Sequence, residues 1–286
     1  MASWKIAGVQ MDCQLGELDR NLEAVQEQLR QAARLQARLV IFPECVLTGY
    51  AFESKEEASP CAQPIPGPAT EALTAECRDL GVWAVVGLLE QGPDNHLFNS
   101  CVLVGPEGLA ASYRKIHLPL LGLDRFTTPG DRPFAVQEIP GPEGNLRIGM
   151  NICYDGSFPE ASRVLTLLGA DLIVLPTNWP SKAVSAATIL APARALENHV
   201  FYAGINRIGE ERGFRFIGLS RFINCSGAIL KTASAGPEIL TTEIDPEVAR
   251  NKLLVHIPGK YEIDRVGNRR PEMYGLLTEP RTGKRI

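Results

Sequence analysis

Histidine is scarce in this chain: four residues, at 96, 117, 199 and 256, none of them at metal-ligand spacing from a cysteine. A zinc site is therefore not indicated, and nothing else in the sequence calls for a cofactor. The seven cysteines (13, 45, 61, 77, 101, 153 and 225) form an odd set without a CxxC pair, which argues against a disulfide framework. Basic charge is not in excess: 29 Lys and Arg stand against 33 Asp and Glu, for a formal net charge of −4. No positive field is available to hold a phosphate backbone, so nucleic acid is not an expected partner. Nowhere do 18 apolar residues run together, and the apolar stretch near Met1 is too short for a signal peptide, so the expectation is a cytoplasmic protein with no membrane partner. A Pro/Gly/Ser linker and a charge block are also missing, and one domain over 1–286 is expected. The sequon Asn224-Cys-Ser226 is read as a coincidence on the same grounds.

With 45% hydrophobic and 22% charged residues, the chain can bury a large core. A strand-like segment from Lys5 to Met11 leads into a helix whose Leu18, Leu22, Val25, Leu29 and Ala32 recur at three- and four-residue steps. Strand and helix then alternate: a strand at Leu39 to Phe42, a helix around Ala69 to Leu80, and strands at Val82 to Leu89 and Ser100 to Val104. The second half repeats the rhythm, with a strand into Cys153, a helix bearing Phe158, Ala161, Val164, Leu165 and Leu168, a strand at Asp171 to Leu175 and a helix around Ala183 to Asn198. Periodicity alone gives a mixed α/β fold. After Pro246 the chain turns polar and irregular, and an arm is expected at about 260–286.

Cys153 ends the run Leu146-Arg-Ile-Gly-Met-Asn-Ile and precedes Tyr154-Asp155-Gly156, where a tight turn would present it. Ser157 and Glu160 read as a capping box at a helix start, and the free N–H groups there are expected to favour thiolate over thiol. A buried structural thiol is the competing account. Upstream, Arg38-Leu-Val-Ile-Phe-Pro ends in Glu44, and Ser112-Tyr-Arg leads into Lys115. A carboxylate can take the proton of a thiol, and an ammonium can stabilise the oxyanion formed when sulfur adds to a carbonyl or nitrile carbon. Cys45 is adjacent to Glu44, but strand alternation is expected to turn it to the opposite face, as it is expected to separate Lys115 from Arg114.

Three separated motifs in this order, with Leu175-Pro-Thr-Asn178-Trp-Pro180, Ala193-Arg-Ala-Leu-Glu197-Asn198, Ile205-Asn-Arg-Ile-Gly209 and Phe216-Ile-Gly-Leu-Ser-Arg221 downstream, resemble the nitrilase or carbon–nitrogen hydrolase superfamily, amidase-like branch. The similarity runs from about Lys5 to Pro271. It implies a four-layer αββα sandwich, Glu44 as general base, Lys115 and the backbone N–H of Tyr154 as oxyanion donors, and Cys153 as nucleophile. It also implies a homodimer or higher homo-oligomer assembled through helical faces, with the arm on a neighbouring subunit. Many members carry a second glutamate between the lysine motif and a Pro-Gly. Here the segment reads Leu120-Leu-Gly-Leu-Asp124-Arg-Phe-Thr-Thr-Pro-Gly130, so Asp124 either replaces that acid or pairs with Arg125.

Tyr50, Asn178 and Trp179 are the expected substrate-binding residues; the last two follow a strand end, where open α/β sheets present ligand groups, and a core Trp is the alternative. His117 is expected to be a structural hydrogen-bonding residue and Glu197 to hold loops near the nucleophile. The expected reaction is hydrolysis of a small linear amide to carboxylate and ammonia through a Cys thioester. N-carbamoyl hydrolysis, acyl transfer to an amine, and a catalytically weak scaffold on the same fold are the alternatives.

Overall fold

The computed structural model describes residues 3–142 and 144–280; the end of the expected arm, 281–286, lies outside the described residues. In chain order the first half carries β1 (Trp4–Gln10), α1 (Leu18–Arg34), β2 (Leu39–Ile41), α2 (Lys55–Ala58), α3 (Pro68–Leu80), β3 (Trp83–Gln91), β4 (Leu97–Gly105) and β5 (Gly108–Arg114). The second half carries β6 (Val136–Ile139), β7 (Leu146–Met150), α4 (Pro159–Leu167), β8 (Leu172–Thr177), α5 (Ala191–Asn198), β9 (Phe201–Asn206), the short β10 (Glu210–Glu211) and β11 (Phe214–Arg215), β12 (Arg221–Ile223), β13 (Ile229–Thr232), β14 (Glu238–Ile244) and α6 (Pro246–Arg250).

Two six-stranded sheets result, ordered β14-β1-β2-β3-β4-β5 and β13-β12-β9-β8-β7-β6. Each has three parallel strands at its centre, β1-β2-β3 in one and β7-β8-β9 in the other, with antiparallel strands at the flanks. Parallel strands need crossovers, and α1, α3, α4 and α5 lie in those connections. Alternation then sorts the side chains. Ile6, Leu39, Ile41, Val85, Ile148, Leu172 and Val174 meet between the sheets, whereas Ala7, Val40 and Val86 pack outward on α1 and α3. Ile173, Leu175 and Tyr202 likewise face Leu165, Ala191 and Ala195 of α4 and α5. This is the four-layer αββα sandwich.

Local chemistry departs from the sequence reading in places. The helix expected over 183–198 is a π-helical turn, Ala186–Leu190, running into α5. Pro246–Arg250 is helical rather than irregular, and Arg250 donates to both oxygens of buried Asp171 at 3.1 and 2.8 Å. The chain divides into two units after Arg250. Within the second, β15 (Leu254–Ile257) and β16 (Tyr261–Ile263) form a hairpin on which His256 stacks on Tyr261, and short 3-10 turns follow. Among the described residues no helix is long and apolar enough to cross a membrane.

Candidate active site

The chain leaves β2 at Ile41, passes through Phe42 and Pro43, and turns at Glu44, Cys45 taking φ +48°. A Cβ on Gly87 of β3 would lie 2.5 Å from the Cys45 nitrogen and 2.6 Å from the Pro43 carbonyl oxygen, so glycine lets this loop lie flush on the sheet. Lys115 follows β5 directly, its N–H donating to the Asn99 carbonyl. Its neighbour Arg114 is also buried but turns the other way, onto Glu90 at 2.5 Å and Asp131 at 2.9 Å.

Lys115 Nζ donates to Glu44 Oε1 at 2.7 Å and to Asp124 Oδ2 at 2.5 Å, and all three side chains are buried. Asp124, on the 3-10 turn Gly122–Arg125, thus contacts the lysine; Arg125 donates to the backbone carbonyls of Gly122, Phe52 and Glu53 instead. Asn99 Nδ2 bridges the two carboxylates, at 2.7 Å from Glu44 Oε1 and 2.9 Å from Asp124 Oδ1. Tyr50 OH donates to Asp124 Oδ2 at 2.7 Å and lies 3.1 Å from the Leu121 carbonyl. Glu44 Oε2 is buried without a hydrogen-bond partner among the described residues.

Burial raises the Glu44 carboxyl above the usual range, the Asp124 charge adds to this, and Lys115 opposes it. Burial alone would lower the Lys115 ammonium, but Asp124 and Glu44 outweigh it and hold its pKa well above the ordinary value. The cluster therefore keeps its cation, and its base is stronger than an exposed carboxylate.

Cys153 opens the 3-10 turn Cys153–Ser157 beyond β7, with φ +44°, a conformation costly for a residue with a Cβ. It is the most exposed of the seven cysteine residues, the other six being buried. Burial of its sulfur pushes the thiol up to about 12, the Glu44 charge adds to the rise, and Lys115, Thr177 and the Asn178 backbone pull the other way. This runs against the expected thiolate, because burial favours the thiol. The expected Ser157–Glu160 capping box is also absent, because the 3-10 turn absorbs Ser157 and α4 starts at Pro159 with Phe158 as its uncapped N-cap. Tyr154 occupies the first turn of the 3-10 segment, where backbone N–H groups have no intrahelical partner.

The elbow is tied by Asp155, a residue the sequence reading gave no role. Its Oδ2 accepts from the Ile152 N–H at 3.0 Å and Tyr113 OH at 2.7 Å, and its Oδ1 from the His117 N–H at 3.0 Å, with His117 Nδ1 at 2.7 Å. The carboxylate links the cysteine turn to the segment that carries Lys115, and His117 serves that structure, stacked on Phe158 at 3.8 Å. Glu197 accepts from Arg194 at 2.9 Å, and Arg194 donates to the Gly156 and Ser157 carbonyls, which holds the same turn from outside.

Asn178 Nδ2 donates to the Glu44 carbonyl at 3.0 Å, strapping the Glu44 loop to the end of β8. Trp179 packs in the outer core and also lines a narrow crevice of about 10 Å³ with Cys153, Gly156, Ser157, Leu175 and Ala186. Asn99 and Asp155 were missed, although a polar pair, Asn99-Ser100, inside an apolar strand run was a usable signal for the first. Cys45 corrects a further expectation. Because the chain has already left the strand, alternation does not apply, and its buried thiol donates to Asn99 Oδ1 at 3.3 Å, inside the carboxylate network. Burial, then the Glu44 charge, holds that thiol well above its ordinary pKa.

Residues 5–252 match the carbon–nitrogen hydrolase family. A nitrilase from Pyrococcus abyssi is 41% identical over 87% of this chain and 92% of its own length. An (R)-stereoselective amidase from Pseudomonas sp. is 33% identical over 86% of this chain and 85% of its own. A variant amidase from Nesterenkonia sp., solved with the acetamide moiety of fluoroacetamide covalently added at its active-site cysteine, superposes with a TM-score of 0.78 at 25% identity, covering 96% of this chain and 97% of that one. The chain belongs to the carbon–nitrogen hydrolase family of the nitrilase superfamily and is a carbon–nitrogen hydrolase.

Proposed function

We propose that the protein hydrolyses the C–N bond of small linear amides, releasing a carboxylate and ammonia through a thioester on Cys153. One observation carries the reading: a single buried ammonium, Lys115, is held between the carboxylates of Glu44 and Asp124, and Asp155 ties the Cys153 turn to the segment that carries that lysine. Glu44 accepts the thiol proton as sulfur attacks the carbonyl carbon, so the thiolate forms only as the C–S bond forms. Lys115 Nζ and the Tyr154 N–H meet the charge on the carbonyl oxygen. Collapse of the adduct breaks the C–N bond while the proton on Glu44 passes to the leaving nitrogen. Water then attacks the thioester carbon and gives a proton to Glu44, which returns it to the departing sulfur.

Asp124 acts as the auxiliary acid, keeping Lys115 protonated and in place. Tyr50, Asn178 and Trp179 frame the substrate site, with Trp179 beside Cys153 in the same crevice. The adduct on the cysteine of the Nesterenkonia amidase supports the same nucleophile here. Ammonia release across a panel of linear amides, N-carbamoyl compounds and nitriles tests the reading. Turnover of the amides with an acyl adduct on Cys153 in the intact mass is expected; tight binding with neither adduct nor turnover would replace it with the scaffold alternative. A homo-oligomer is part of the proposal, supported by exposed Val164 and Leu167 on α4, Leu168 just past its end and Leu196 on α5. A light-scattering mass of one subunit at micromolar protein would remove it.

A further inference from the structure

Arg207, just past β9, is one of the largest fully buried side chains in the molecule and touches none of the four groups around Lys115. Its Nη1 donates to Glu211 Oε1 at 2.9 Å, and its Nη2 to Asp12 Oδ1 at 2.5 Å and the Cys13 carbonyl at 2.9 Å, with the guanidinium 4.4 Å from the Phe216 ring centroid. Glu211 turns its other oxygen on two consecutive backbone amides, Tyr50 N–H at 2.8 Å and Ala51 N–H at 2.5 Å. Gly49 makes room for this: its φ is +80°, and a Cβ there would sit 2.9 Å from Glu211 Oε1 and 2.8 Å from the Leu15 backbone.

A buried ion pair is a weak way to gain stability, because desolvation offsets most of its attraction. Its geometry here has a definite use. Two successive amides gripped by one carboxylate fix the backbone frame of Tyr50, and the Tyr50 hydroxyl ends 2.7 Å from Asp124 Oδ2, the same oxygen that Lys115 contacts. The run of contacts is continuous: Arg207, Glu211, the Tyr50 backbone, the Tyr50 hydroxyl, Asp124, Lys115.

We propose that Glu211, held by Arg207, is a positioning residue for the hydrolysis: it sets Tyr50 so that its hydroxyl steadies Asp124, and through Asp124 the ammonium that meets the oxyanion. The inference rests on the amide-hydrolysis reading for its chemistry. Small displacements of such donors cost up to about 100-fold in rate, so Glu211→Gln is expected to lower kcat roughly 10- to 100-fold with a smaller change in KM.

A double-mutant cycle of Glu211→Gln with Tyr50→Phe tests it, with two readouts: kcat and KM on an amide that the parent enzyme turns over, and the pH dependence of Cys153 alkylation by iodoacetamide, followed by intact mass. If Glu211 acts through Tyr50, the double variant is no slower than the worse single variant, and the alkylation profile shifts by the same amount in all three. Fold-losses that multiply in the double variant would overturn the proposal, as would a loss in Glu211→Gln that tracks only its folded fraction. Should Glu211→Gln not fold, Glu211→Asp replaces it, because it keeps a negative charge for Arg207 while withdrawing from the two amides. A parent enzyme that releases ammonia from no amide ends the functional reading, whereas the alkylation cycle still decides whether Glu211 works through Tyr50.

Discussion

The two sheets share one plan, three parallel strands flanked by antiparallel ones, yet they hand opposite chemistry to their common rim. The first sheet delivers Glu44, Asn99 and Lys115, which with Asp124 form a buried cluster of charges and amides joined at 2.5 to 2.9 Å. The second delivers Cys153, a half-buried, backbone-strained residue whose thiol burial favours over the thiolate. Charge can stay buried where every carrier has an opposite partner, as here with one Glu44 oxygen left open, and a nucleophile must stay reachable, so one region is paired and the other held under tension. Catalysis, on the reading above, is the moment a proton crosses from the second to the first.

The most severe way to break this division is to remove the sulfur. Cys153→Ala should leave no ammonia release above the buffer rate and no acyl adduct in the intact mass, with the melting temperature close to the parent's. Next, Lys115→Ala should cost about 100- to 1000-fold in turnover, and because it strands two buried carboxylates it should also cost about 3–5 kcal/mol in stability by urea titration. That the lysine is an interior group, not a solvated one, is what makes the stability loss large.

The pH profile sharpens the comparison. Glu44 must be unprotonated to act as base and its pKa is raised, so turnover should fall with decreasing pH already above the range of an exposed carboxylate. Lys115 is held protonated well above its ordinary range, so no alkaline loss from it is expected near neutrality. Asp124→Asn removes a charge that raises both groups, so both limbs of the profile should move to lower pH. An unmoved alkaline limb would mean that Asp124 does not support the ammonium. The smallest effect is expected for Cys45→Ser, which keeps a donor to Asn99: turnover should stay within about threefold of the parent, since a neutral hydrogen bond is worth only about 1 kcal/mol.

The alternation of strand and helix was legible in periodicity, and Glu44 and Cys153 stood out because apolar strand runs stop just before them, whereas the sandwich itself and the place of Lys115, after the polar Ser112-Tyr-Arg, came from the family resemblance. Asp155 was not, because its partners Tyr113, His117 and Ile152 converge only after two sheets are stacked. The capping box at Ser157 failed for a local reason: a 3-10 turn and a capping box compete for the same residues, and the turn won, with Asp155 pinning Ile152. Cys45 was misassigned because the strand ends before it, at Ile41, and alternation has no force in a turn.

The buried thiol has one more consequence. Peroxide and other soft oxidants react with sulfur in its ionised form. A thiol that burial keeps protonated reacts with them more slowly, and the other six cysteines are buried residues. On the reading above, the burial that makes Cys153 depend on Glu44 for its proton also slows its reaction with such oxidants.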